Sequence, residues 1–211
     1  MKIVLMGPPG SGKGTQVKRL SERLGVTRMS TGDLFRSHQA RGTELGLVAR
    51  SYMEKGEYVP DEVTIGMVME WIDAPEQSAG FVLDGFPRTL AQAEALDKGV
   101  AEAGGIDRVI YIRVARDELI RRLTGRLVCP KCQTPYHAVS APPTVEGECD
   151  HCGEELYQRE DDRPEVLGHR LKVYERETAP VIEYYRRSAN LKEIDGEGTT
   201  EEVERALNVA A

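Results

Sequence analysis

The sequence predicts an α/β fold built on a parallel sheet and interrupted by two insertions, and three observations carry that reading. Short apolar runs recur at 3–6, 80–84, 108–114 and, more weakly, 191–195, each followed by a plausible helix, and strands alternating with helices imply parallel pairing. A glycine-rich loop, GPPGSGKGT at 7–15, stands between the first strand and the first helix. Two stretches, 30–60 and 127–163, break the alternation.

The elements follow in order. Ile3, Val4, Leu5 and Met6 form a buried-strand run, and Val17, Leu20 and Leu24 then recur at helical spacing until Gly25 closes the helix. In 30–60, Asp33 and Thr43 read as N-caps and Gly42 and Gly56 as stops, so two short helices without a strand partner form a helical flap. The stretch 127–163 carries all four cysteines, Pro135, Pro142 and Pro143, and little helical periodicity; it reads as a separate small module. A long helical stretch covers 165–188, bent or divided by Pro180. Thr200 is the expected cap of a last amphipathic helix through Val203 and Leu207.

A chain of 211 residues suits one domain with small insertions. Asp plus Glu is 35 against 28 for Lys plus Arg, and the resulting net charge of −7 argues against nucleic acid as a partner, because that needs a basic face. A hydrophobic fraction of 40% with 30% charged residues fits a globule rather than a disordered chain. The run 3–6 is far short of the roughly 18 residues of a membrane span, and Gly7-Pro8-Pro9-Gly10 ends it before it could be a signal-peptide core. The expected location is the cytoplasm, with no membrane partner.

The loop 7–15 has the composition of a phosphate cradle. Its four glycines let consecutive backbone N–H groups turn inward, the helix N-terminus adds positive potential, and Lys13 adds a full charge. The generic pattern places Ser or Thr directly after the lysine to hold Mg²⁺; here Gly14 stands there and Thr15 follows, so metal handling must differ. Asp84 ends the run Phe81-Val82-Leu83, where parallel strands point ligands into a crevice, and a carboxylate there can hold Mg²⁺, through water. Asp-Gly is also a common turn opening.

Cys129-Pro130-Lys131-Cys132 and Cys149-Asp150-His151-Cys152 are two CxxC pairs separated by 16 residues, the spacing of a zinc ribbon. Four thiolates complete a tetrahedral shell with no open position, so the metal is expected to be structural. Two disulfides or a redox pair are the alternatives, and they suit a cytosolic chain poorly.

GPPGSGKGT together with STGDLFR at 30–36 and LDGFPRT at 83–89 resembles the adenylate kinase family in its variant with a zinc-bearing lid, and the match runs nearly end to end. The resemblance implies reversible phosphoryl transfer from ATP to AMP, giving two ADP with Mg²⁺. It also implies a phosphate-loop core with a five-stranded parallel sheet flanked by helices, made of 1–29, 60–126 and 164–211. The flap, 30–59, becomes the AMP-binding domain and 127–163 the zinc-ribbon-like lid. Carried over by position, the AMP site falls on Thr31, Arg36, the backbone of Glu57, Tyr58 and Val59, then Gly85, Phe86, Pro87, Arg88 and Gln92, with Arg159 and Arg170 reaching it. The ATP site takes Gly10, Ser11, Gly12, Lys13, Gly14, Thr15, Arg126, the Pro135-Tyr136 pair and Gly198. The groups clamping the phosphates are Lys13, Arg88, Arg122, Arg126, Arg159 and Arg170; the stretch 164–169 departs from the family's usual Glu-Thr-Val run, and Arg163 competes with Arg170 for its place. A monomer is the family expectation.

These residue types suit the chemistry. Phosphoryl transfer has a loose, highly charged transition state, so it depends on positioning and on neutralising charge, and an arginine fork grips phosphate oxygens in pairs. AMP offers an ionised oxygen at neutral pH, which makes a general base redundant, and His38, His137, His151 and His169 are assigned no catalytic role. Water competes as nucleophile, so both insertions should close before transfer. Rival readings are another nucleoside monophosphate kinase, a zinc-ribbon nucleic-acid module with a regulatory nucleotide, and a nucleotide hydrolase. Thr31 and Gln92 at the base favour adenine, the acidic balance opposes the second, and the third leaves the flap unexplained.

Overall fold

The computed structural model describes residues 1–188 and 190–211. In chain order the elements are β1 (Lys2–Met6), α1 (Lys13–Leu24), β2 (Thr27–Ser30), α2 (Thr31–Ala40), α3 (Glu44–Met53), α4 (Asp61–Ile72), β3 (Phe81–Asp84), α5 (Leu90–Val100), β4 (Arg108–Arg113) and α6 (Arg116–Thr124). There follow β5 (Arg126–Val128), β6 (Pro135–His137), α7 (Pro164–Glu177), α8 (Ala179–Arg187), β7 (Leu191–Asp195) and α9 (Thr200–Ala210).

Five strands form one parallel sheet in the order β2-β3-β1-β4-β7. Alternate residues of the central strands feed two different cores. Val4, Met6, Phe81, Leu83 and Val109 meet α4, α5 and α8 on one face, while Ile3, Leu5, Val82, Ile110 and Ile112 meet α1, α6, α7 and α9 on the other. Burial on both faces explains why these strands read as continuous apolar runs without alternation. The chain goes from β1 outward through β2 and β3, then crosses to β4, so the winding reverses at β1, and the crevice at its carboxyl end is where such folds place ligands.

Several local expectations need correction. The apolar pattern does not reveal β2, because this edge strand, Thr-Arg-Met-Ser, buries only Met29 and is held by its register with β3. The cap of α2 is Ser30, whose Oγ accepts from the Asp33 N–H at 3.4 Å; Asp33 lies three residues into the motif and turns its carboxylate to Arg36 instead. Thr43 does cap α3. The helical stretch after 163 divides at Thr178, and Pro180 sits in the first turn of α8, where its missing N–H costs nothing. Thr199, not Thr200, caps α9, in a reciprocal box with Glu202.

Residues 126–163 hold a small antiparallel hairpin, β5 with β6, and a core of only Cys129, Tyr136, Cys149 and Leu156 with Leu127 and Cys152 against it. So small a core needs a staple. Among the described residues, no helix is long and apolar enough to cross a membrane.

The capping assignment is testable by urea unfolding. Thr199→Ala is expected to lower stability by about 1 kcal/mol with unchanged m-value, whereas Thr200→Ala stays within about 0.5 kcal/mol of wild type.

Candidate functional site

The phosphate loop joins the carboxyl end of β1 to α1. Gly10 and Gly12 adopt left-handed backbone, φ 84° and 92°. A Cβ on Gly10 would also sit 2.9 Å from Leu123 Cγ on α6, so both conformation and packing demand glycine there. Gly12 is the N-cap of α1, without a side-chain cap and without an acidic residue in the first turn; Ser11 and Thr15 N–H are bonded to the Pro8 and Gly12 carbonyls, which leaves the N–H groups of Gly12, Lys13 and Gly14 for an anion. Lys13 folds back over the loop and donates to the carbonyls of Gly7 (2.6 Å) and Pro8 (2.9 Å) and to Ser11 Oγ (3.3 Å). Burial pushes its ammonium down to about 8, against the pull of Asp84 and with repulsion from Arg88, Arg170 and Arg126 added.

One cavity of about 930 Å³ opens above this rim. From the loop side it is walled by Gly10, Gly12, Lys13, Gly14 and Thr15, and from β3 and its following turn by Asp84, Gly85, Pro87 and Arg88. Arg36 and Tyr58 approach from the flap, Arg122 from α6, Arg170 from α7, and Arg126, Pro135 and Arg159 from the cysteine module. The dispersed cations of the sequence thus converge. A second pocket adjoins the first and is lined by Thr31, Phe35, Glu57, Tyr58, Val59 and Gln92, among others.

Most of the cations are tethered by carboxylates. Asp162, fully buried, takes a bidentate pair from Arg126 (2.7 and 2.6 Å) and a third bond from Arg170 (2.8 Å). Arg170 also reaches Asp161 at 2.9 Å. Burial opposes the Arg170 charge, but Asp161 and Asp162 outweigh it and raise its pKa. Asp33 bridges Arg36 and, at 3.6 Å, Arg159. Arg122 holds Glu118 at 2.6 Å. Burial, with Arg36 and Arg126 nearby, pushes Arg159 down to about 9, leaving it charged at neutral pH. The Nε atoms of Arg36 and Arg159 are buried with no hydrogen-bond partner among the described residues. Orphaned donors of that kind beside a cavity are what a phosphate would satisfy.

The Asp84 carboxylate has no hydrogen-bond partner among the described residues, and burial raises its pKa despite Lys13. A Cβ on Gly14 would lie 3.9 Å from Asp84 Oδ2, so at the place where the generic loop offers a hydroxyl this chain offers a carboxylate oxygen. That donor suits Mg²⁺.

The four cysteine Sγ atoms lie within 4.8 Å of one another, with Cys129–Cys152 at 3.4 Å, Cys132–Cys149 at 3.5 Å and Cys132–Cys152 at 3.8 Å. All four are free thiols. A tetrahedron with about 2.3 Å metal–sulfur bonds has sulfur–sulfur edges near 3.8 Å, whereas a disulfide needs about 2.05 Å, so the cluster fits zinc.

Some expected residues sit elsewhere. Ser11 is 1% exposed and meets Lys13 rather than the cavity; Phe86, joined to Pro87 by a cis peptide bond, is packed in the core beside Leu83 and Val181. The Tyr136 hydroxyl points into the cysteine cluster, 3.5 Å from Cys149 Sγ, and accepts from the Asp150 N–H. Gly198 precedes the cap of α9, outside the cavity lining. Of the two competing arginines, Arg170 faces the cavity, while Arg163 is exposed and paired with Glu160. The sequence reading overlooked Asp33, Asp161 and Asp162 as counter-ions, although an Asp-Asp pair flanked by Arg159 and Arg163 is a legible signal. It also overlooked Lys131, Gln133 and His151, which line the cavity from the cysteine module, and Thr178, which no local pattern marks.

A family model described as adenylate kinase matches residues 5–190. The chain is 56% identical to an adenylate kinase of Carboxydothermus hydrogenoformans over 96% of its own length and 95% of the relative's. It is 50% identical to one from Archaeoglobus fulgidus over 98% of both, and 50% identical to one from a Geobacillus species over 96% and 94%. With a five-stranded parallel core, a phosphate loop and a four-cysteine cluster in place, the chain belongs to the adenylate kinase family and is a nucleoside monophosphate kinase, a transferase.

Proposed function

We propose that this enzyme transfers a phosphoryl group reversibly between ATP and AMP, giving two ADP, and that it acts as a cytoplasmic monomer without nucleic-acid or membrane partners. The observation that carries the reaction is the cavity in which the phosphate loop, the six arginines named above and an adjoining pocket face one another.

In this reading the loop residues 10–15 cradle the ATP phosphates while Lys13 leaves the loop carbonyls for them. Arg36 and Arg88 hold the AMP phosphate, and Arg122, Arg126, Arg159 and Arg170 spread along the transferred group and both flanking phosphates. Their charges oppose the charge of a loose in-line transition state, which is where such a catalyst gains most. Mg²⁺, held at Asp84 through water, supplies charge neutralisation and orientation on the ATP phosphates. The AMP base enters the pocket of Thr31, Val59 and Gln92, with the backbone of Glu57, Tyr58 and Val59 along its edge; Gly85, Phe86 and Pro87 shape the turn that presents Arg88. Pro135 borders ATP from the lid, and Gly198, outside the cavity lining, reaches the adenine only as the resemblance implies. The domains are a core of 1–29, 60–126 and 164–211, a flap of 30–59 and a lid of 127–163, and closure of both excludes water; the Asp33–Arg159 contact between flap and lid supports that. Structural Zn²⁺ on Cys129, Cys132, Cys149 and Cys152 stiffens the lid.

A coupled phosphotransfer assay with ATP and Mg²⁺ tests the reading: AMP is the expected acceptor over CMP, UMP and GMP, and preference for any other overturns it. Lys13→Met and Arg88→Ala should each lower turnover by about 100-fold or more while the fold persists. Stripping zinc is expected to lower Tm and to speed amide exchange in 127–163 but not in β1; an unchanged melting curve with the metal demonstrably gone counts against a structural role. Because Lys13 is charged only below about 8, ATP affinity should fall as pH rises through that value. Phosphates raise its pKa again, so binding near pH 8 takes up a proton, seen in calorimetry as a heat that varies with buffer ionisation enthalpy and vanishes in Lys13→Met.

A further inference from the structure

Arg88 differs from the other cavity arginines that are at least partly buried; Arg28, which also lines the cavity without an ion pair, is exposed. Arg36, Arg122, Arg126, Arg159 and Arg170 each have a carboxylate partner, whereas Arg88 has no ion pair among the described residues. It sits deep, repelled by Lys13, Arg36 and Arg170 and attracted by Asp84, which makes no ion pair with it.

Two contacts hold the guanidinium, the Nε–H bond to the Gly85 carbonyl and the ring of Tyr58. The Arg88 Cζ lies 5.0 Å from the centroid of the Tyr58 ring. The Tyr58 hydroxyl lies 2.9 Å from Thr178 Oγ1, and Thr178 Oγ1 lies 2.9 Å from the Arg88 carbonyl oxygen. A carbonyl can only accept, so the single Thr178 proton is committed to it, and the bond from Tyr58 must run from Tyr58 as donor. The result is a closed circuit, with the Tyr58 ring on the guanidinium and its hydroxyl, through Thr178, on the same residue's backbone. Arg88 Nε donates to the Gly85 carbonyl at 2.7 Å, and its N–H to Gln92 Oε1 at 2.8 Å. Both Nη groups are left without a hydrogen-bond partner among the described residues, facing the cavity.

We infer that the Tyr58 side chain is a positioning residue for Arg88, holding the guanidinium by its aromatic face so that the phosphate-binding donors stay unspent. A carboxylate would fix the cation equally well but would occupy those donors and cancel the charge; a π face does neither. The inference rests on the phosphotransfer reading above and adds a role for a side chain beyond its backbone.

The experiment is steady-state kinetics on the full-length enzyme. Tyr58→Leu removes ring and hydroxyl and is expected to lower kcat by about 10- to 100-fold, with the KM for ATP within about twofold. Tyr58→Phe keeps the ring, loses one hydrogen bond and should stay within about fivefold of wild type. In an Arg88→Ala background, Tyr58→Leu should cost nothing further, because its partner is gone. Wild-type rates in Tyr58→Leu, or an equal loss with and without Arg88, would overturn the inference; urea unfolding of the Phe variant separates misfolding from mispositioning. A wild-type enzyme that fails to phosphorylate AMP would sink the functional reading instead, whereas an active wild type with an indifferent Leu variant counts against Tyr58 alone.

Discussion

The architecture depends on one electrostatic constraint, that a cluster of cations must stay charged, close together and accessible in a folded chain of net charge −7. Like charges within a few ångströms repel strongly once water is thinned out, and burying them adds a desolvation cost. The protein meets this with counter-ions placed behind the cations. Asp162, with its side chain fully buried, anchors Arg126 and Arg170, Asp161 adds to Arg170, and Asp33 spans Arg36 and Arg159. Arg126 gives Nε and one Nη to Asp162, and Arg170 a single Nη to Asp161 and Asp162, so part of each fork is left over. The surplus of acid elsewhere conceals this cationic interior from any count of charge.

The parallel sheet supplies the rigidity behind that arrangement. Because β1, β3 and β4 are buried on both faces, their carboxyl ends cannot shift without disturbing two cores at once. The loop 7–15 and Asp84 leave from those ends, so this side of the cavity stands on the most heavily packed part of the molecule. The residues that line the cavity from the flap and the cysteine module stand on much smaller cores. Thick and thin hydrophobic packing thus meet at the cavity.

How much of this was legible depended on the range of the interactions involved. β1, the loop 7–15 and the two CxxC pairs announce themselves because their chemistry is local: burial on both faces, φ values open to glycine, and metal-ligand spacing. The strand β2 was hidden because its partners, not its composition, make it a strand, and only Met29 carries an apolar signal. The caps at Ser30 and Thr199 were displaced because two eligible residues stood near each helix start and only backbone geometry decides between them. The Tyr58–Thr178 bond joins residues 120 apart in sequence, and no pattern along the chain prepares for it. The resemblance located most of the arginines, but their counter-ions emerged only from folding, since a carboxylate becomes a partner by position rather than by motif.

The bidentate bond between Arg126 and Asp162 has a wider consequence. Arg126 opens the hairpin at β5 and Asp162 closes the excursion just before α7, so one ion pair fastens the two strands of chain by which 127–161 leaves and rejoins the body. A segment whose exit and re-entry are stitched side by side behaves as a cassette. The paired backbone bonds between Val128 and Tyr157 and the 3.1 Å bond from Gln158 Nε2 to the Thr124 carbonyl reinforce the same seam.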